Sequence, residues 1–442
     1  MYRSTLILGW GKNHPLTGDL GTTVAWVGTL CAVVALSLSK AVLSVAPVLV
    51  ALGAVMHGWQ NRRAGRPVLQ DVRMMGFVAL FGLSLMAVFQ TSTWPLWLND
   101  LRQKVPFLVL GLAYACLPPF GRRQYYAVMA LFVVAQSLVA VVSLLRFFGD
   151  YEAAMIRVAQ NAHIDVMGSI SHIYFGLLLA AAVLVGAYLV WRGEVLRFGA
   201  ERYVLALLTL FNLVALHLFT ARTGLLAFYV AVLLGGGLLV IQQRNWRLAL
   251  ALLVVPTALL AGSYAAIPSF RLRVQVSIWD LRGYRSPQQD ISHHSASLRL
   301  IAWETAWKVF RQQPLLGTGM ADVEADMRAV YARDVQRVAT DFLPANPHNQ
   351  YLEHLAGQGI AGLALLLLTC FWALRGHVHA PGVALLALFM AGMVTESLLE
   401  RQIGMSFFVI FMALLPRYAS QEANNDVAAH LSSSPSTNFS AS

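Results

Sequence analysis

Residues 203–240 read YVLALLTLFNLVALHLFTARTGLLAFYVAVLLGGGLLV, and Arg222 is the single formal charge among them. Two apolar runs, 203–220 and 223–241, therefore stand almost back to back. About 20 apolar residues wound as a helix cross the hydrocarbon core of a bilayer. Lipid offers no partner to a free backbone N–H or C=O, so runs of this kind are helices. The stretch predicts a helical membrane bundle. It also raises the question of why an arginine sits on the lip between two spans.

The rest of the chain reads the same way. Hydrophobic residues make up 58% of the 442 positions and charged residues 12%, where soluble domains run near a quarter charged. Further apolar runs lie near 22–39, 41–57, 74–90, 105–119, 126–147, 169–190, 248–267, 352–374, 381–396 and 403–416, giving about twelve spans in all. The formal net charge of +11 is a matter of topology before it is a sign of nucleic acid, because cytoplasmic loops collect Arg and Lys. With the N-terminus inside, fifteen basic residues fall in inward loops and seven in short outward ones. Both termini are thus expected in the cytoplasm. Cys31, Cys116 and Cys370 all sit in apolar runs, so no disulfide is expected. The first span is expected to serve as an uncleaved signal.

The domain plan that follows is spans 1–9 over 1–267, an outward loop over 268–351, spans 10–12 over 352–416, and a disordered cytoplasmic tail over 417–442. The loop looks partly helical. ASLRLIAWETAWKVFRQQ (296–313) sets Leu300, Trp303, Trp307 and Phe310 on one stripe, which would rest on the bundle or the bilayer surface. PLLGTG (314–319) is a breaker, and ADVEADMRAVYARDVQRV (321–338) is a charged helix.

Three groups in the outward region stand out. Arg222 with Thr223-Gly224 opens a helix, and a helix N-terminus beside an arginine can cradle a phosphate. The plainer reading is a side chain snorkelling to the headgroups. Arg299 lies on the 296–313 helix, as a solvated charge or a second phosphate ligand. His348 stands in ANPHNQYLEHLAGQGIAG (345–362), at the mouth of the tenth span beside Asn349. A neutral imidazole there can take a proton from a hydroxyl. Gly357, Gly359 and Gly362 would let that helix approach a neighbour closely. His217 and His172 are back-up candidates, and Arg271, Arg273, Arg282 and Arg285 form a diffuse basic set. There is no Gly-rich phosphate loop, no zinc pattern around His293 and His294, and no Asp-x-Asp pair. Asp322 and Glu324 come nearest. Arginines, with no metal and no cofactor, would then neutralise a phosphate.

These residues resemble the O-antigen ligase family. His348-Asn349, nine residues, Gly359, two residues and Gly362 fit its histidine motif without a gap. Arg222 with Leu226 resembles its arginine element, and Arg299 followed by Pro314-Leu315-Leu316-Gly317 its loop element. The resemblance implies an all-α, GT-C-like integral membrane protein of about twelve transmembrane helices, with one large, partly helical periplasmic loop between helices 9 and 10. It implies a bacterial inner-membrane, multi-pass glycosyltransferase acting at the periplasmic face. The donor would be a glycan on undecaprenyl pyrophosphate and the acceptor a lipid A–core hydroxyl. His348, Arg222 and Arg299 would be catalytic, and Asn349, His217, Arg282 and Arg285 would bind substrate. An O-antigen polymerase or a protein oligosaccharyltransferase shares this layout. A lipid-linked glycan transporter is the non-enzyme alternative, although ionisable residues gather at span ends instead of mid-membrane.

Overall fold

A computed structural model describes residues 19–414, apart from 66, 163, 165, 168–169, 194–198, 287–289, 336–337 and 376–377. The terminal stretches, including the Ser-rich tail, lie outside the described residues. Every regular element described is a helix. In chain order they are α1 (Leu20–Leu38), α2 (Lys40–Arg63), α3 (Met75–Met86), α4 (Trp94–Cys116), α5 (Arg122–Gly149) and α6 (Tyr151–Ala159). Then come α7 (His172–Arg192), α8 (Glu201–Leu218), α9 (Arg222–Gln243), α10 (Trp246–Ala266) and α11 (Pro268–Tyr284). The series ends with α12 (Ser295–Phe310), α13 (Val323–Asp334), α14 (Gln350–Ala373), α15 (Ala380–Thr395) and α16 (Gln402–Leu414).

Nine helical stretches among the described residues are long and apolar enough to cross a bilayer. They are α1, α2, the 72–89 stretch around α3, α5, α7, α8, α9, α10 and α14. The shorter apolar α15 and α16, together with α4, occupy the other three expected positions. The protein is an all-α integral membrane protein. Its fourth helix starts at Trp94, well before the expected 105. Three charges, Asp100, Arg102 and Lys104, fall in its first half, where the apolar pattern alone would begin the helix later; Lys104 Nζ pairs with Asp100 one turn away at 3.0 Å.

Helix α7 is the centre of the bundle, packed on α5, α8, α9 and α15. Its Gly176 meets Gly224 near the start of α9 so closely that a Cβ on Gly224 would overlap the Gly176 carbonyl. Small residues at a crossing let helix backbones touch in lipid, and this crossing fixes the height of the α9 N-terminus. Aromatic rings join α15 and α16, with Phe389 at 4.6 Å from Phe407 and 4.8 Å from Phe408. Leu253, Val254 and Val255 on α10 are exposed, as expected of a helix facing lipid.

The 268–351 region forms a second, smaller core of Ile291, Ile301, Ala302, Ala306, Val309, Val323, Met327, Val330 and Tyr331. This corrects the expected face of α12. Its buried stripe is Ile301, Ala302, Thr305, Ala306 and Val309; of the expected set Phe310 is buried at its edge, while Trp307 is exposed. The small side chains let α12 lie close to α13 and α14, with Trp303 half-buried and Trp307 turned outward.

The glycines of the tenth span also have a different neighbour from the one expected. Gly359 has φ 64 and ψ −161, so α14 is broken there. The PLLGTG segment crosses the break. Ile360 N donates to Pro314 O at 2.9 Å, Thr318 N to Ala356 O at 2.9 Å and Gly319 N to Gly357 O at 3.0 Å. A Cβ on Gly359 would overlap the Leu315 carbonyl, and one on Gly357 the Met320 side chain. Backbone freed by a kink at membrane depth must find partners in protein, and the loop supplies them.

Candidate active site

The start of α9 is uncapped. Ala221 precedes it, no side chain caps it, and Thr220 just before it is left-handed, with φ 51. The Thr220 hydroxyl is buried with no hydrogen-bond partner. Free N–H groups and the helix dipole make such an end attractive to anions. It opens into a narrow cleft lined by Ile164, His172, Thr220, Arg222, Arg273 and Arg299, among others.

Three arginines converge there. Arg222 donates from Nη1 to Ser277 Oγ (3.1 Å) and from Nη2 to Ser295 Oγ (3.0 Å) and Asn161 Oδ1 (3.3 Å). Arg273 of α11 donates to Asn161 Oδ1 (3.4 Å) and Ala162 O (2.8 Å). Asp280, fully buried, lies 3.9 Å from Arg222 and accepts from Asn161 Nδ2 at 2.7 Å. Burial lowers the pKa of both Arg273 and Arg299; Asp280 opposes this at Arg273, and Glu396 and Asp280 oppose it at Arg299. Guanidinium groups stay cationic at neutral pH all the same. The cluster therefore holds more positive charge than its own carboxylates balance.

His348 lies at the same end of the bundle. It is left-handed, with φ 48, its N–H donates to Asn346 Oδ1 at 3.0 Å, and its Nδ1 lies 3.1 Å from Glu396 Oε2. The imidazole is 31% exposed and Glu396 only 7%, so the ring can meet a solute while its partner stays fixed. A second link joins this pair to the arginines: Thr395 Oγ1 donates to Thr223 Oγ1 at 3.0 Å. Arg222-Thr223 and Thr395-Glu396 are consecutive residues, so cradle and imidazole are two hydrogen bonds apart through the fold.

The structure sorts the other sequence candidates. Asn349 is the N-cap of α14, its Oδ1 accepting from Tyr351 N and Leu352 N at 3.0 and 3.1 Å. That oxygen is spent on the helix end. His217 is a core residue. One ring nitrogen contacts Leu213 O (2.8 Å), the other Tyr229 Oη (2.7 Å), and Phe270 stacks on the ring. Arg282 and Arg285 are exposed at the end of α11, outside the cleft lining. At about 100° per residue Arg273, Ser277 and Asp280 share one helix face and Arg282 lies opposite. His294 is buried against Trp279. Asp322 fastens the loop instead of binding a ligand, accepting from Ser92 and Thr93 hydroxyls at 2.8 and 2.9 Å. Among the described residues no group of three or more His, Cys, Asp or Glu is arranged to hold a metal.

Sequence reasoning missed Glu396, Asp280 and Asn161. Glu396 had a signal, since it is a lone acid ending an apolar span at the same level as Arg222. Asp280 and Asn161 had none, being ordinary polar residues until the chain folds.

No curated protein matches the chain. Residues 204–367, the stretch that carries Arg222, Arg273, Arg299 and His348, match the family model for O-antigen ligase, which supports the resemblance to that family.

Proposed function

We propose that this membrane protein transfers a glycan from undecaprenyl pyrophosphate to a lipid A–core sugar hydroxyl, at the periplasmic face of a bacterial inner membrane. The observation that carries the reading is the pairing of an arginine-lined, uncapped helix N-terminus with a half-buried imidazole two hydrogen bonds away, backed by buried Glu396. Breaking the anomeric C–O bond leaves a lipid diphosphate, and preorganised donors are needed where that charge develops. Arg222, Arg273, Arg299 and the first N–H groups of α9 supply them. The acceptor hydroxyl gives its proton to His348 Nε2 as its oxygen attacks, and Glu396 holds the imidazolium that results. The acceptor oxygen bonds to the anomeric carbon while the diphosphate leaves with the bond electrons. Charge neutralisation is assigned to guanidinium groups, not to a divalent cation.

The test is reconstitution with purified lipid-linked donor and lipid A–core. His348→Ala should abolish transfer with donor binding retained, and Arg222→Ala should weaken use of the donor. A chelator should change nothing. Full activity of either variant, or loss on chelation, refutes the assignment. Offering a second lipid-linked donor in place of lipid A–core tells a ligase from a polymerase.

A further inference from the structure

A buried polar cluster lies just past His348, where the first turns of α14 meet α4 and the 396–400 turn. Lys104 is 2% exposed, yet it is fully charge-paired. Its Nζ lies 3.0 Å from Asp100 and 3.1 Å from Glu400. The other Glu400 oxygen accepts from Gln350 Nε2 at 2.9 Å, and Gln350 Oε1 accepts from Leu399 N at 2.5 Å. Ser397 Oγ adds a bond to Glu353 at 2.8 Å. None of these groups lines the arginine cleft.

Such a cluster is costly. An apolar core of the same volume is often as stable as a buried ion pair or more so, and the best-supported reason to keep one is fixed geometry. The geometry at stake is close by. His348 and Glu396 both sit outside regular helix, one left-handed and one extended. His348 lies before the first turn of α14, and Glu396 is tied to α15 only through the last bond of that helix, its N–H donating to Gly392 O at 3.1 Å. The cluster ties the two chain segments together one to five residues beyond the partners, and anchors both to α4.

We propose that Lys104 is a positioning residue for the reaction, holding Glu400 and, through Gln350, fixing His348 against Glu396. This rests on His348 acting as the base. Breaking the tie lets the 396–400 turn drift from the imidazole, while the arginine cradle on α9, α11 and α12 stays as it was. The loss then falls on kcat and spares the donor KM. The two carboxylates on Lys104 differ in this respect. Glu400 belongs to the tie, whereas Asp100 only neutralises Lys104 within its own helix.

The experiment compares Glu400→Gln, Asp100→Asn and Lys104→Met in the full chain, by transfer kinetics and by hydrogen exchange over 345–353 and 396–401. Misplacement of a catalytic group by a fraction of an ångström is worth about tenfold or more in rate. Lys104→Met and Glu400→Gln should lower kcat by about that factor with donor KM within about twofold, and should speed exchange in both segments. Asp100→Asn should keep kcat and exchange near the parent values. If Lys104→Met does not fold, the carboxamide pair still decides. Equal loss from both carboxamides, or unchanged kcat or exchange in Glu400→Gln, overturns the proposal. Exchange is read without substrate, so an active His348→Ala enzyme would sink the base assignment separately from the tie.

Discussion

Glu396→Gln isolates what the carboxylate does for His348. The side chain keeps its shape and an acceptor oxygen 3.1 Å from Nδ1, but it can no longer stabilise an imidazolium by charge. Hydrogen bonds to charged groups contribute ~1.5–3 kcal/mol. Glu396 is 7% exposed, so water replaces little of that, and the full range applies. At about 1.36 kcal/mol per tenfold, kcat should fall roughly 10- to 150-fold. Donor binding should not suffer. Glu396 partly offsets the positive charge at Arg299, so its neutralisation leaves the cradle at least as attractive to a diphosphate. The expected signature is a lower kcat with a donor KM that is unchanged or smaller, read in detergent or nanodiscs from initial rates at varied donor. A kcat within threefold of the parent would show that the pair seen here is not used in the transfer step. A raised donor KM would move Glu396 out of the base and into substrate binding.

Other outcomes follow from packing and position. Gly359→Ala puts a Cβ on a residue at φ 64, ψ −161, against the Leu315 carbonyl; the strain of about 1–3 kcal/mol plus the clash should lower the unfolding temperature clearly. By contrast, Gly82→Ala in α3 meets nothing within 4 Å and should be neutral or stabilising by up to ~1 kcal/mol; the reverse order of the two variants in a thermal melt would contradict the α14 break. Arg282→Ala and Arg285→Ala should retain transfer within about twofold, as surface changes away from a site usually do, while Arg273→Ala should raise the donor KM. Asp322→Asn tests the loop anchor. Burial works against the Asp322 charge, but bonds from Ser92, Thr93 and Thr91 outweigh it and hold the carboxyl below its usual range. A depressed folded-state pKa gives stability that is present above the unfolded value near 3.9 and lost as pH falls below it. Asp322→Asn should therefore cost ~1 kcal/mol at neutral pH, a gap that closes below about pH 4 in pH-dependent melts.

How much of this could be read from the chain alone differs by element, for physical reasons. The spans were legible because lipid imposes one simple demand, a long apolar helix. The fourth was misjudged where Lys104 and Asp100 cancel each other inside it, since composition counts charges and cannot see them paired. Arg222 and His348 could be singled out because Arg222 is the one formal charge across 203–240 and His348 is an imidazole at the mouth of a span. Arg273 could not be separated from Arg282 and Arg285 without the phase of α11, which the sequence leaves open because the helix has little apolar periodicity. The same ambiguity turned α12 around. Its tryptophans suggested the buried stripe, but the core wanted the small residues that let α13 and α14 come close.

The arrangement also explains why the histidine sits on so irregular a piece of chain. The segment from Gln350 to the Gly359 break is a separate short helix, not the first half of a rigid span. At its far end the PLLGTG backbone crosses the break; at its near end Asn349 caps it, and Gln350 ties it to Glu400. A base carried by a long continuous span would move with that span. Here its height is set instead by the loop that carries Arg299 and by the turn that carries Glu396. The PLLGTG segment follows α12 directly, so the guanidinium of Arg299 and the imidazole of His348 are placed by one connected stretch of chain. A site that must hold a diphosphate at one point and accept a proton at another gains from that coupling, because an error in the loop shifts both groups together instead of pulling them apart.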